Sequence, residues 1–393
     1  MEQKEILYQL YLAELACHMP QAVRLLLEEY GTAERIWALS DREIGRVGYL
    51  KEAQKEEMKA AKKRGLPYLR LEELEKKGIK TVCIEEEAYP FRLREIYDAP
   101  YMLFYKGKLP EEEMRPVAVI GARRCSDYGR RAAVYFGREL AKAGVPVISG
   151  LAVGIDGLSQ SACVEAGGVS YGVLGSGVDV IYPAGNRQLY RDLQERGGVL
   201  SEYLPGTRAD AWHFPRRNRI ISGMADLVLV VEAREKSGTL ITVECALQQG
   251  REVFAVPGRV GDNLSLGCNR LIRDGAGIAT CAEDLVFALQ DLGNRTGEEQ
   301  RVRREEMKER LRRIREEKTA AEAPEGLAGH PEAWQGERRG RIRRRLLESP
   351  ASAEELYPVV EEQGGSIQEL LTELMLLEIE GLLVCKGGNY ELK

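Results

Sequence analysis

The sequence has few residues of the kinds that build metal centres and disulfide frameworks. Its eight cysteines are scattered singly with no Cys-x-x-Cys pair, and its three histidines, His18, His213 and His330, lie far apart along the chain. Zinc sites and disulfide scaffolds need cysteines or histidines at short, repeated spacing. The sequence therefore predicts no metal site, no disulfide framework and no catalysis built on histidine.

Long apolar runs and an excess of positive charge are also absent. No apolar run approaches the ~18 residues that span a bilayer, and the first five residues are too polar to begin a secretion signal. We expect a cytoplasmic protein without membrane contact. Lys and Arg number 57 against 62 Asp and Glu, a net charge of -5, so any contact with nucleic acid must come from local basic groups.

Changes of pattern along the chain predict four segments. At roughly 150 residues per domain, 393 residues suggest two or three domains. Helical spacing of apolar residues over 1–65 predicts a small helical domain. Short β-branched runs alternating with helical stretches over 66–292 predict an α/β domain with a mostly parallel sheet. Residues 293–337 are predicted to be a charged linker, and 338–393 to form the three helices and hairpin typical of a winged helix.

The two C-terminal segments differ in charge. Between Arg295 and Arg345, 16 Lys and Arg against 11 Asp and Glu leave a net charge of +5, which favours a solvated helix and flexible linker over a tether for polyanions. From Leu346 onward ten acidic residues oppose only Lys386 and Lys393. Because phosphates repel so acidic a segment, we expect the winged helix to contact protein rather than to read duplex DNA. This charge disfavours a transcription factor.

Glycine-rich turns follow the predicted strands, which are Val117–Ile120, Pro146–Ser149, Ser170–Leu174, Leu227–Val231 and Glu252–Val256. In an open parallel sheet, ligands bind outside the carboxyl ends of the strands. The first four strands lead into turns whose Gly, Ser and Thr residues suit an anion. The P-loop pattern fails because Glu235 precedes Lys236, and the dinucleotide fingerprint lacks its second and third glycines. We therefore expect phosphate binding without a nucleotide cofactor.

The densest basic patch lies at Phe214–Gly223 and contains Arg216, Arg217 and Arg219. Guanidinium groups bind phosphate through two parallel hydrogen bonds, and three arginines cannot all be buried cheaply. The adjacent Trp212 is of the kind that stacks on bases, as is Phe214, although core packing is the more natural fate of Phe214. The patch predicts a path for single-stranded nucleic acid rather than a pocket for one nucleotide.

Seven motifs stand in a fixed order between about Ala88 and Ala279. They are Val119-Ile120-Gly121-Ala122-Arg123, Tyr128-Gly129, Ser149 to Asp156, Tyr182-Pro183-Ala184-Gly185-Asn186, Phe214 to Gly223, Ser237 to Thr242, and Gly250 to Gly258. In this order they resemble the motifs of the DNA-processing protein A family (DprA, also called Smf). The resemblance implies an extended Rossmann-like parallel sheet domain between an N-terminal helical SAM/HhH-like domain and a C-terminal winged-helix domain.

The resemblance also implies a function. It indicates a bacterial protein that is not an enzyme, binds and protects single-stranded DNA, forms a homodimer through its Rossmann domain, and loads the RecA recombinase in natural transformation or related recombination. The family's DNA-contacting positions fall on Arg123, the 150–154 turn, Arg217, Arg219 and residues 236–238. With the turns and the basic patch, the predicted DNA and phosphate contacts are Gly121, Arg123, Arg124, Ser149, Gly150, Gly154, Gly175, Gly177, Arg216, Arg217, Asn218, Arg219, Lys236, Ser237, Gly238 and Thr239.

Two departures from the family and one alternative function remain. The family usually has Ser or Thr where Ala122 stands, and Ala-His where Ser159-Gln160 stands, so one phosphate donor is lost and Gln160 can hydrogen-bond but not titrate near neutrality. The alternative is an enzyme similar to nucleoside monophosphate phosphoribohydrolases, which needs an acid or base beside the sugar. Glu244 lies too far along its predicted helix for the spacing of that group, and Asp156 is more simply a helix N-cap.

Overall fold

The computed structural model describes residues 2–65 and 67–293, together with short segments and single residues between 346 and 392. Contacts divide the chain into two compact units. One comprises Met1–Asp41 and Glu56–Thr319, and the other comprises Arg42–Lys55 and Ala320–Lys393. No helix within the described ranges is both long enough and apolar enough to cross a membrane.

Helices occupy the first part of the chain and continue to Lys77, beyond the predicted segment end at residue 65. They are α1 (Glu2–His18), α2 (Pro20–Tyr30), α3 (Ala33–Ala38), α4 (Asp41–Arg46), α5 (Glu52–Arg64) and α6 (Tyr68–Lys77). Pro20 is the first residue of α2. At this position a backbone N–H has no acceptor within the helix, so proline breaks no helical hydrogen bond. Thr32 caps α3, because its Oγ1 accepts a hydrogen bond from the backbone N–H of Arg35 at an N···O distance of 3.2 Å. Helix α1 packs against α2, α3 and α6.

The α/β region follows, and between Lys80 and Ile278 it has nine strands and seven α-helices. The strands are β1 (Lys80–Cys83), β2 (Met102–Gly107), β3 (Val117–Ile120), β4 (Val147–Ser149), β5 (Ser170–Val173), β6 (Gly198–Ser201), β7 (Leu227–Val230), β8 (Glu252–Ala255) and β9 (Gly277–Ile278). The helices are α7 (Phe91–Arg94), α8 (Asp127–Lys142), α9 (Ile155–Glu165), α10 (Arg187–Arg196), α11 (His213–Gly223), α12 (Thr239–Gln248) and α13 (Leu266–Arg273). Residues 282–293 are also helical.

The nine strands form one mixed sheet in the order β1-β2-β6-β5-β4-β3-β7-β8-β9. The six strands β5-β4-β3-β7-β8-β9 are parallel and reproduce the 3-2-1-4-5-6 order of a Rossmann fold. Strand β6 continues the parallel part, and β2 and β1 add antiparallel strands beyond it. The predicted α/β class is confirmed, and all five predicted strands are present. The sequence reasoning missed β1, β2, β6 and β9.

Both faces of the sheet are buried, which explains the unalternating apolar strands. Val117 and Val119 of β3 face a core built with α8, α9 and residues 282–293. Ala118 and Ile120 face the opposite core, which includes α11 and α12. The carboxyl ends of the parallel strands are therefore held between two packed layers, which positions the turns that follow them.

A second, three-stranded antiparallel sheet lies in the C-terminal unit. It consists of β10 (Ala351–Ser352), β11 (Leu383–Lys386) and β12 (Asn389–Leu392), in the order β10-β12-β11. The pairing of β11 with β12 gives the hairpin that was predicted there. The predicted linker and the predicted helices of the winged-helix domain lie almost entirely outside the described residues.

Candidate nucleic-acid interface

The loop between β3 and α8 carries exposed arginines between two fixed ends. At one end the amide of Ala122 donates to the Glu232 carbonyl at 2.9 Å. At the other end the buried Glu232 carboxylate accepts the amide of Ser126 at 2.9 Å and also contacts its hydroxyl. Ser126 in turn caps α8 by accepting the amide of Gly129 at 3.1 Å. Arg123 and Arg124 lie exposed between these anchors.

The turn between β4 and α9 adopts a backbone that most residues avoid. Leu151 has φ 53°, and Gly154 has φ 84°. A Cβ at Gly154 would lie 2.3 Å from the Ala122 carbonyl oxygen, so only glycine fits at this position. The close approach brings this turn against the β3–α8 loop.

Three side chains hold that turn in place. The buried Asp156 carboxylate accepts the amide of Gly150 at 3.2 Å. Gln160 accepts the amide of Leu151 at 3.0 Å, so the hydrogen-bonding role expected of it is confirmed. Asn186 donates to the Leu151 carbonyl at 2.8 Å. These bonds stabilise the positive φ of Leu151, which would otherwise be strained.

This bonding decides which amides of the turn are available to a ligand. The N-cap of α9 is Gly154, so the expectation that Asp156 caps the helix is wrong: its carboxylate reaches back to Gly150 instead. The amides of Gly150 and Leu151 are thereby occupied. Within the described ranges, no hydrogen bond uses the amides of residues 152–154. Those three amides remain able to donate to an anion.

A pocket of about 340 Å³ lies between the first turns of α8 and α9. Its charged lining consists of Arg123, Arg124 and Arg130, which together with the cavity we call the arginine pocket. Ser161 and Asn186 add polar groups to the wall. None of the ion pairs formed in the described part of the chain involves these three guanidinium groups. Unpaired arginines beside two helix N-termini favour an anionic ligand.

Arg217, by contrast, is buried beneath the 150–154 turn. Its Nη1 donates to the Gly150 carbonyl at 2.8 Å and also contacts the Val173 carbonyl. A Cβ at Gly150 would lie 2.5 Å from its Nη2. Burial lowers the pKa of Arg217 to about 10, against the attraction of Asp156, and burial raises the pKa of Asp156. The accessible phosphate contact expected of Arg217 is corrected: backbone carbonyls take the place of the anion.

Arg219 is likewise buried and paired within the protein. Its guanidinium binds Glu202 at 2.7 and 3.1 Å and Asp98 at 2.9 Å. Arg216 is half-buried, 3.4 Å from Glu202, and donates to the Cys17 carbonyl of α1 at 3.3 Å. Helix α11 is thus fastened to the end of β6 and to the N-terminal helices. The Arg219 guanidinium is therefore not accessible for the phosphate contact that the sequence predicts.

Aromatic rings surround Phe214, beside the arginine pocket. The Arg123 guanidinium lies 5.1 Å from the Phe214 ring centroid, and the Tyr182 ring lies 5.6 Å from it. Phe214 is only half-buried, so it bridges core and surface rather than filling core alone. Trp212 is 60% exposed and meets Tyr203 edge to face. Trp212 and Tyr182 are therefore accessible to bases.

Three other predicted contacts lie inside the fold. The Ser149 hydroxyl donates to the Val119 carbonyl at 2.6 Å. The amide of Gly177 donates to the Thr207 carbonyl at 2.9 Å, and Gly175 packs so closely against Phe214 that a Cβ would lie 2.9 Å from its ring. All three residues are buried. Each of the three therefore has a structural role inside the fold, and its contact with phosphate stays a prediction.

The remaining predicted residues are accessible to different degrees. Lys236 and Gly238 are exposed in the turn after β7, where the Ser237 hydroxyl accepts the amide of Thr239 at 3.1 Å. Gly121, Asn218 and the Ser237–Thr239 pair are partly exposed. The structure therefore brings Arg123 and Arg124 together in one pocket, and does not bring the buried α11 arginines to the surface.

Sequence reasoning missed several residues of the site. Arg130 lies one helical turn after the Ser126 cap, and Ser161 lies two turns after Gly154, so helical periodicity could have indicated both. Glu232 is separated from Ser126 by 106 positions. A contact across that separation leaves no local pattern in the sequence.

The sequence that builds this site is similar to the sequences of known proteins. The profile of the family described as DNA recombination-mediator protein A matches residues 80–290, the range that holds the arginine pocket. The chain belongs to this family. DprA of Bacillus subtilis is 43% identical over 215 residues, which are 54% of this chain and 72% of that protein. DprA of Streptococcus pneumoniae is 44% identical over 203 residues, 52% of this chain and 72% of that protein.

A solved structure extends the likeness to the fold. The X-ray structure of Streptococcus pneumoniae DprA matches with a TM-score of 0.62 and 36% identity, and covers 71% of this chain and 96% of that one. The family resemblance seen in the motifs is confirmed. The role of this protein therefore lies in DNA processing and recombination.

Proposed function

We propose that this protein binds single-stranded DNA along the carboxyl edge of its sheet and acts as a recombination mediator without catalysing a reaction. The observation that supports this most is the arginine pocket. Three accessible guanidinium groups without carboxylate partners in the described ranges share this pocket with Val153 and Gly154, whose amides form no hydrogen bond there. Phosphate matches guanidinium and helix N-termini in both charge and geometry.

The accessible aromatic rings extend this site in one direction. Arg123 joins the pocket to Phe214, and the Tyr182 ring packs against Phe214 beyond it. A strand with a phosphate in the pocket would lay unpaired bases on these rings, and stacking accepts any base. A duplex keeps its bases stacked on one another, so it gains nothing from the rings. Binding should therefore favour single strands and tolerate any sequence.

Fluorescence anisotropy of a labelled oligothymidylate, compared with its duplex and titrated over salt, tests the proposal. Four accessible cations, Arg123, Arg124, Arg130 and Lys236, predict a slope of log affinity against log salt of roughly -3, at about -0.7 per neutralised phosphate. Equal affinity for the two DNA forms, or a slope near zero, would contradict it.

The family resemblance carries the proposal further, to RecA. We propose that the bound strand is passed to RecA in the cytoplasm, and that the acidic C-terminal segment folds as a winged helix that contacts protein. The test is the rate at which RecA coats a strand already covered by a single-strand-binding protein. The wild-type chain should accelerate it, and Arg124→Ala should accelerate it less. No acceleration by the wild-type chain would refute RecA loading.

A homodimer through the Rossmann domain is the corresponding proposal for assembly. Strand β9 lies at the edge of the sheet with Ile278 half-exposed, and Phe287 of the following helical stretch is 67% exposed. Exposed apolar side chains beside a free strand edge are typical of interfaces. Light scattering should find a dimer for the wild-type chain and a monomer for Phe287→Arg. A monomeric wild-type chain would contradict the proposal.

The absence of catalysis is proposed on the two carboxylates that an enzyme would need. Asp156 is buried and bonded to the Gly150 amide, and Glu244 lies within α12 rather than at its beginning. Neither is placed to protonate a leaving base in the arginine pocket. Incubation with nucleoside monophosphates should release no free base, and its release would revive the enzyme hypothesis.

A further inference from the structure

We propose that the arginine pocket holds a nucleotide's phosphomonoester, a group carrying nearly two negative charges, in preference to a phosphodiester within a strand. The proposal rests on the proposed function, because it names which part of the DNA occupies the pocket. A phosphomonoester could come from the end of a strand or from a free nucleotide. The chemistry is the same in both, and the experiment below separates them.

The charge of the arginine pocket favours a phosphomonoester. Arg123, Arg124 and Arg130 converge on one pocket of about 340 Å³ without a carboxylate partner in the described ranges. Helices α8 and α9 add the partial positive charges of their N-termini. A phosphodiester has a single negative charge to offset these groups, whereas a phosphomonoester near neutral pH has about -1.5 to -2. The phosphomonoester therefore neutralises more of the positive charge of the pocket than a phosphodiester does.

The hydrogen-bond donors of the arginine pocket also favour a phosphomonoester. A phosphomonoester has three terminal oxygens, against two for a diester, and each oxygen accepts more than one donor. The amides of Val153 and Gly154 line the pocket and form no bond within the described protein, and the Ser161 hydroxyl at its wall has no partner there either. With three guanidinium forks, these donors exceed what two oxygens can accept.

The shape of the arginine pocket favours a phosphomonoester as well. The pocket is walled by the β3–α8 loop, the 150–154 turn and the first turns of α8 and α9, with Asn186 at its side. Its volume lies at the lower end of the range of about 300–1,000 Å³ for small-ligand sites, so it suits the single nucleotide at the end of a strand. Arg123 connects it to the Phe214 ring, which leaves a direction in which the rest of the strand extends.

The experiment uses the full chain and internally labelled oligothymidylates that carry hydroxyl ends, a 5′-phosphate or a 3′-phosphate. We expect one phosphorylated end to bind about tenfold more tightly than hydroxyl ends, and dTMP to compete better than thymidine. Arg130→Ala should abolish the preference, whereas Arg138→Ala should keep it, because Arg138 is exposed on the same helix two turns beyond the pocket.

The possible outcomes distinguish the two proposals. Equal binding of all three oligothymidylates by the wild-type chain overturns the terminal-phosphate proposal while leaving strand binding intact. A preference that survives in Arg130→Ala overturns it as well. If no oligothymidylate binds, strand binding itself fails, and calorimetry with dTMP against thymidine decides the pocket: tighter dTMP binding supports a free nucleotide, and equal binding overturns the proposal.

Discussion

Two groups of arginines stand at the same edge of the same sheet and have opposite surroundings. Arg123, Arg124 and Arg130 are exposed and have no carboxylate partner in the described ranges. Arg217 and Arg219 are buried, with backbone carbonyls and carboxylates as partners. Density of basic residues in the sequence therefore does not indicate which group meets a ligand. The partners available inside the fold decide it.

The largest expected effect comes from removing a buried arginine. Arg219→Ala leaves the buried Glu202 carboxylate with only the half-buried Arg216, 3.4 Å away, as an ion-pair partner, and breaking a buried pair destabilises a protein by up to roughly 3–5 kcal/mol. Urea denaturation followed by circular dichroism measures this loss. The matched control is Arg124→Ala, which is exposed and unpaired and should change stability by less than about 0.5 kcal/mol. Equal stability of the two variants would contradict the difference in surroundings between the buried and the exposed arginines.

The turn that lies between the two groups gives the next effect. Gly154→Ala forces a Cβ to 2.3 Å from the Ala122 oxygen at φ 84°, which should cost roughly 1–3 kcal/mol and weaken strand binding by displacing the loop that carries Arg123. Gly238→Ala is the control for stability, because no atom lies within 4 Å of its added Cβ. A stable Gly154→Ala variant with full affinity would show that the turn does not shape the pocket.

The aromatic rings separate stacking from charge. Trp212→Ala should weaken oligothymidylate binding by roughly 1–3 kcal/mol, since each stacked base contributes about that much. The salt slope should stay unchanged because no cation is lost. Trp212→Phe should keep most of the affinity. A lower slope in Trp212→Ala would mean that the ring positions a cation instead of a base.

The smallest effect concerns a half-exposed ion pair. Burial alone raises the pKa of Asp179, but hydrogen bonds from Lys77 at 2.6 Å and from the Gly206 amide at 2.8 Å outweigh it, and the pKa lies below its ordinary value of 3.8. The pair therefore stabilises the protein above that value and is lost as pH falls below it.

Asp179→Asn should accordingly lower stability slightly at neutral pH and reduce the loss of stability on acidification. Urea denaturation at pH 7 and near pH 3 measures both effects. If the wild-type chain and the variant lose equal stability on acidification, the acid sensitivity comes from other carboxylates.

Much of the fold follows from the sequence because parallel strands buried on both faces are recognisable as apolar, β-branched runs. Strands β3, β4, β5 and β7 are buried throughout, and β8 is buried at Val253 and Ala255. Strand β2 continues into half-buried Tyr105 and Lys106 and pairs antiparallel, and β9 has only two residues. Such strands depend on their neighbours rather than on their own composition.

The site was predictable where ligand contacts come from turns and unpredictable where they depend on long-range partners. The exposed Arg123 and Arg124 follow from the rule that ligands bind at strand carboxyl ends. The burial of Arg219 depends on Glu202 and Asp98, which lie 17 and 121 positions away. No pattern within Phe214–Gly223 indicates those partners. The sequence therefore predicted arginines that are more accessible than the structure shows.

The salt dependence of oligothymidylate binding tests the central claim most directly. The chain carrying Arg123→Ala, Arg124→Ala and Arg130→Ala together should lose about 2 from the magnitude of the slope, at about 0.7 per phosphate contact, with unchanged urea denaturation. Arg138→Ala should keep the wild-type slope. An unchanged slope in the triple variant would contradict the claim that these exposed arginines, and not the buried ones of α11, bind the strand.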